Sequence, residues 1–144
     1  MALRIFIDTN ILLDYLLIRK PFEKSAREIV NLCQNEIVYG AISPGSIADM
    51  FFIMRKDVSE QDRRAMLLDL CGIFHVEGMD GYKTVSALQN DSFHDFEDCL
   101  QMECAVSFGA NYIITRNVKD YAASVVPCME PDTFCSFVTK EGLM

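Results

Sequence analysis

Residues 95–121 read DFEDCLQMECAVSFGANYIITRNVKDY, and the order of features in this stretch sets the fold class. Apolar residues at helical spacing run from Phe96 to Phe108, with Asp95 placed as N-cap and Gly109 as the stop. Tyr112–Thr115 follows as a short, mostly β-branched run of the kind that forms a fully buried strand. The polar stretch RNVKDY then begins where that strand ends.

The same alternation extends outward in both directions. Leu3–Ile7, Ile37–Ile42 and Val125–Met129 read as further buried strands, with Ile73–Val76 as a fifth. Helical patterns lie between them at Asn10–Ile18, Pro21–Cys33, Pro44–Arg55, Tyr82–Leu88 and Pro131–Lys140. Ser43 and Pro44 open one helix as N-cap and first residue; another begins at Ser59 and is expected to close at Gly72. Asn90–Asp91–Ser92 is a turn signal. Strands alternating with helices predict an α/β domain, with parallel strands, right-handed crossovers and helices on both sheet faces. No linker-like composition interrupts 1–144, so a single domain is expected.

Composition narrows the class. Half the residues are apolar (51%), yet no uninterrupted run approaches the roughly 20 needed to cross a bilayer. The N-terminus shows no signal-peptide h-region, so a soluble protein is expected. The six cysteines form no CxxC pair, and neither His75 nor His94 has a partner at zinc spacing. Cys33, Cys71, Cys99 and Cys104 fall in helical apolar patterns, which predicts buried free thiols in a reduced, cytoplasmic protein. The net charge of −8 argues against a passive nucleic-acid binder, which would carry a basic patch. It argues less against a metal-dependent nuclease, because bound cations reverse the local sign.

The acids fall where such chemistry would sit. In open α/β sheets the working crevice lies outside the carboxyl ends of the strands. Asp8 follows the first strand, and Asn117 and Asp120 follow Tyr112–Thr115. Each has a plain alternative, Asp8 as a helix cap and the other two as turn residues. Asp49 lies inside a helix on a mostly apolar stripe, with Gly45 and Ser46 one turn earlier leaving room for a ligand; a partly solvated acid is the alternative. Asp95, Glu97 and Asp98 suit a helix first turn on dipole grounds alone. Their joint placement on one rim favours a site. Arg55, Lys56, Arg116 and Lys119 are candidate substrate contacts.

At this point the chain resembles the PIN-domain family, close to the branch of VapC-type toxin ribonucleases. The resemblance is carried by IDTNILLDYLL, ISPGSIADMFF, DFEDCLQMECAVSFGANYIITRNVKDY and PDTFCSFV, in that order and over nearly the whole chain. It implies a three-layer α/β/α sandwich around a mostly parallel sheet, and hydrolysis of RNA with Mg²⁺ or Mn²⁺. The family's first acid falls on Asp8 and its third on Asp98. Its second, usually Glu, falls on Asp49, one methylene shorter; its fourth falls on Asn117, where many members have Asp. Asp120 matches a recurrent acid. Asp8 and Asp98 are thus the expected main metal ligands, with Asp49 and Asn117 completing the set and Asp120 assisting. A small antitoxin protein and a second copy of the chain are the expected partners. Phe51, Phe52 and Met54 offer more apolar surface than one helix face buries.

Two other readings stand beside this one. A phosphatase with Asp8 as covalent nucleophile typically wants a second acid two residues on, where this chain has Asn10. An inactive PIN-like module binding RNA or protein would accommodate the departures at Asp49 and Asn117.

Overall fold

Ile5 and Ile7 point to one side of the central strand and Phe6 to the other, and all three are fully buried. That two-sided burial follows from the period-2 alternation of a strand with helices on both faces. The computed structural model describes residues 2–142. The single-domain expectation also takes in residues 1, 143 and 144, which lie outside that range.

The chain runs β1 (Arg4–Ile7), α1 (Thr9–Leu16), α2 (Glu23–Gln34), β2 (Tyr39–Ile42) and α3 (Pro44–Ile53), which tightens into a 3-10 turn at Met54–Lys56. It continues through α4 (Glu60–Ile73), β3 (His75–Val76), α5 (Gly81–Gln89), α6 (Phe96–Phe108) and β4 (Tyr112–Ile114). A 3-10 turn at Val118–Tyr121, β5 (Cys128–Met129) and α7 (Pro131–Lys140) complete it. The sheet order is β3-β2-β1-β4-β5, and every pairing is parallel. Ile5, Ile7, Ile42 and Ile114 join one core with α1, α2, α4 and α7, whereas Phe6, Ala41 and Ile113 join a second with α6. Two cores separated by the sheet make the three layers. Among the described residues no helix is long and apolar enough to cross a membrane.

Local signals placed most element ends. Ser43, Ser59, Asp80 and Asp95 cap α3, α4, α5 and α6 by accepting backbone N–H bonds, and Gly109 ends α6 at φ 78°. Gly72 does not close α4, which runs one residue further to Ile73 and ends as Phe74 turns extended into the core. Space beside β2 is tight instead: a Cβ on Gly40 would stand 2.7 Å from Cys33 Sγ. Burial also differs from expectation at two positions. Cys71 is exposed, because α4 turns Leu67 and Leu70 inward and leaves Cys71 outside. Met54 is fully buried, while Phe52 keeps 61% of its surface exposed and lies under the Arg55 guanidinium, 3.7 Å from the ring centre.

Candidate functional site

The chain leaves β1 toward β2 and β3, then returns to place β4 on the other side of β1. The crevice of such a sheet opens where strand order reverses, between the carboxyl ends of β1 and β4. Asp8 stands there. Its backbone N–H bonds to Ile114 O at 3.0 Å, carrying the β1–β4 pairing up to the rim. One carboxylate oxygen accepts the Thr9 N–H and the other the Thr115 hydroxyl, both at 2.8 Å. Asp8 therefore caps α1 while lining the crevice. Burial pushes its carboxyl above the usual range, and Asp120 adds to this, against hydrogen bonds that pull it down. Thr115, fully buried at the end of β4, also accepts the Asn117 N–H at 3.0 Å.

Asp95 and Asp98 divide the work at the start of α6. Asp95 Oδ1 accepts the N–H groups of Glu97 and Asp98, at 2.7 and 3.2 Å, as a cap does. Asp98 is half-buried, and its carboxyl is pushed up to about 7, first by desolvation, then by the charges of Asp95, Asp8, Asp120 and Glu97. Asp49, exposed on α3, shares with Asp8 and Asp98 the wall of a cavity of about 210 Å³. Asp120 is close enough to raise both Asp8 and Asp98, yet it lines a separate cavity with Asn117 and Lys119. The structure thus gathers Asp8, Asp98 and Asp120 electrostatically, puts Asp49 on the shared wall, and leaves Asn117 outside that cavity.

Behind the acids runs a buried polar network. Ser43 donates to the Gln101 side-chain oxygen, the Gln101 amide donates to Ser46 Oγ at 3.0 Å, and Ser46 Oγ lies 2.6 Å from Thr9 Oγ1. It ties α3 and α6 to the first residue of α1, so the helices carrying Asp49 and Asp98 are braced against the turn carrying Asp8. The small residues before Asp49 were visible in the sequence; Gln101 as their partner was not.

Of the proposed substrate contacts, Arg116 is committed elsewhere. Its guanidinium grips the fully buried Asp14 at 2.8 and 3.2 Å and lies over the Phe22 ring. Arg55 lies beyond the end of α3, in the 3-10 turn Met54–Lys56, and does not line the cavity that Asp49 shares with Asp8. Lys119 remains exposed beside Asp120.

The donor set fits a hard divalent cation. Among the described residues no three Asp, Glu, His or Cys side chains close a cage by themselves. Mg²⁺ is ordinarily held by one or two carboxylates with waters completing the shell, so a closed protein cage is not required of Asp8 and Asp98, which line the same cavity. None of Asp8, Asp49, Asp98 and Asp120 is in an ion pair among the described residues. A partly dry group of acids without a counter-charge is what a cation relieves.

A family model described as PIN domain matches residues 4–119. No curated protein matches the chain. Among solved structures, a toxin–antitoxin complex from Klebsiella pneumoniae is similar at 23% identity, with TM-score 0.65, over 91% of this chain and 98% of that one. The DNA-bound VapBC of Salmonella typhimurium is similar at 16% identity, with TM-score 0.68, over 90% and 99%. VapC20 of Mycobacterium tuberculosis, described as a sarcin-ricin loop cleaving toxin, is similar at 13% identity, with TM-score 0.59, over 76% and 86%.

Proposed function

The chain belongs to the PIN-domain family, and on that premise we propose that it is a metal-dependent endoribonuclease, the toxin of a toxin–antitoxin pair. The observation that carries this is the uncompensated carboxylate group of Asp8, Asp98 and Asp120 at the β1–β4 crevice. Asp8 and Asp98 would hold Mg²⁺ or Mn²⁺ directly, with Asp49 and Asn117 reaching it through water. A cation bound there would supply Lewis acidity toward a phosphoryl oxygen and a more acidic attacking water. The protein's own part is orientation. Thr9 and Thr115 fix the Asp8 carboxylate, the Ser43–Gln101–Ser46 network fixes the two helices, and Asp49 and Asp120 accept protons from water. Lys119, exposed beside Asp120, would meet RNA phosphate.

A partner with an antitoxin's role is supported by the complexes that share the fold. Phe52 and Ile53, exposed on α3, suit self-association with a second copy. Light scattering that shows only monomer at every workable concentration would remove the self-association part. Six free thiols suit the cytoplasm. A second reading, an inactive binding module, draws on Asn117 lying outside the cavity. Cation binding without cleavage would favour it.

The cation itself can be tested without substrate. Asp98 and Asp8 have carboxyls raised in the folded state. Such groups favour the folded state fully below their unfolded pKa, near 4, and lose that contribution as pH rises through the folded value. The melting temperature without divalent ion should therefore fall between about pH 4 and about pH 7. Glu77 does not alter this window: burial raises it, but bonds from Ser107, Lys83 and His75 leave it below its usual value, so its effect lies at more acid pH. Mn²⁺ at a hundred times its Kd should add about 2.7 kcal/mol, and its effect should be larger at pH 8 than at pH 5 because binding expels protons. A melting temperature indifferent to Mn²⁺ at pH 8 would rule the site out.

A further inference from the structure

Among the described residues, the Tyr121 hydroxyl is the one buried side-chain polar atom without a hydrogen-bond partner of normal geometry. The ring is held firmly. It closes the 3-10 turn Val118–Tyr121, packs in the core beneath α6, and stands edge-on to Phe93 with centroids 6.3 Å apart. The hydroxyl comes out among Asp8, Asp98 and Cys128, near enough to Asp8 to act on its carboxyl as a hydrogen-bond donor while falling short of a hydrogen bond of normal geometry. Phenylalanine would fill the same apolar space without burying an unsatisfied hydroxyl. Such orphaned groups are rare in folded proteins and call for a partner or a role.

Asp8 can supply the partner. A carboxylate offers about four acceptor positions, and the Asp8 oxygens receive the Thr9 N–H on one side and the Thr115 hydroxyl on the other. We propose that Tyr121 is a positioning residue of the cation site, its hydroxyl donating to Asp8 in the loaded state and holding that carboxylate in one orientation. The role is that of the outer partners that orient metal-ligating side chains. It rests on the reading of Asp8 as a cation ligand, and it gives the 3-10 turn after β4 a function separate from the acid it also carries.

The test is Tyr121→Phe, which removes one oxygen and keeps the ring. Without divalent cation the variant should melt at or above the parent's temperature, since a desolvated hydroxyl with no hydrogen bond of normal geometry has been deleted. Its affinity for Mn²⁺, read from the electron paramagnetic resonance signal of the free ion, should fall by roughly 10- to 100-fold. Parent and variant binding Mn²⁺ equally would overturn the role of Tyr121 and leave the cation site standing. A variant that melts clearly earlier without cation would also overturn it, because the hydroxyl would then be serving the fold. A parent that binds no Mn²⁺ would overturn both readings together.

Discussion

Asp98→Asn is expected to reduce Mn²⁺-dependent RNA cleavage by on the order of a thousandfold while leaving the fold intact. The substitution keeps shape but removes charge from a ligand of a hard cation. Loss of such a ligand withdraws several kcal/mol of transition-state stabilisation, at about 1.4 kcal/mol for each factor of ten. Stability without cation should hold or rise slightly, because Asp98 is repelled by Asp95, Asp8 and Asp120 and that repulsion disappears. Asp95→Ala is the control on the same turn. It deletes the acceptor of the Glu97 and Asp98 N–H groups, which should cost about 1 kcal/mol and leave much of the activity. Both variants would be assayed for melting temperature and for cleavage of a structured RNA. Parent-like cleavage by Asp98→Asn would remove the nuclease reading or this placement of its cation.

Arg116→Ala is expected to act on the fold instead. Only 1% of the Asp14 side chain is exposed, and the Arg116 guanidinium is its close partner, with Arg19 at 3.9 Å. Deleting Arg116 leaves a carboxylate buried with one distant cation. Breaking a buried pair in this way costs about 3–5 kcal/mol, a large share of the roughly 5–15 kcal/mol that holds a domain folded. The melting temperature should drop by roughly 10 °C. Replacing both partners, Arg116→Met with Asp14→Leu, should recover most of the loss, because no unpaired charge remains. An Arg116→Ala protein that melts with the parent would show that Asp14 does not need this partner. The pair also joins α1 to the loop after β4, so the turn that carries Asn117, Asp120 and Tyr121 is anchored by it.

The pair shows where sequence reading stops. Arg116 lies next to Asn117 in a polar stretch at a strand end, which is why it read as a substrate contact. Its partner is 102 residues away. Thr115 and Asp8, 107 apart, and Ser43 and Gln101, 58 apart, were equally out of reach. None of these residues has a local feature that names its partner, since a threonine ending a strand or a glutamine in a helix is ordinary alone.

Features with short-range causes were legible. Asp95, Ser43 and Ser59 bond to amides two or three residues on, and Gly109 takes a positive φ that other residues resist, so these ends could be read from neighbouring letters. The buried strands and their alternation with helices also followed from pattern, because burial on both faces demands continuous apolar runs. Gly72 misled because glycine permits a helix stop without requiring one, and the packing of Phe74 set the end. Tertiary structure alone decided that Asp8, Asp49 and Asp98 line one cavity and that Asn117 stays outside it. It alone bound Arg116 to Asp14 and brought an unpaired tyrosine hydroxyl beside Asp8. The physical reason is common to all of these: they depend on which strands become neighbours, and the order β3-β2-β1-β4-β5 is settled by the packing of the whole core rather than by any one segment.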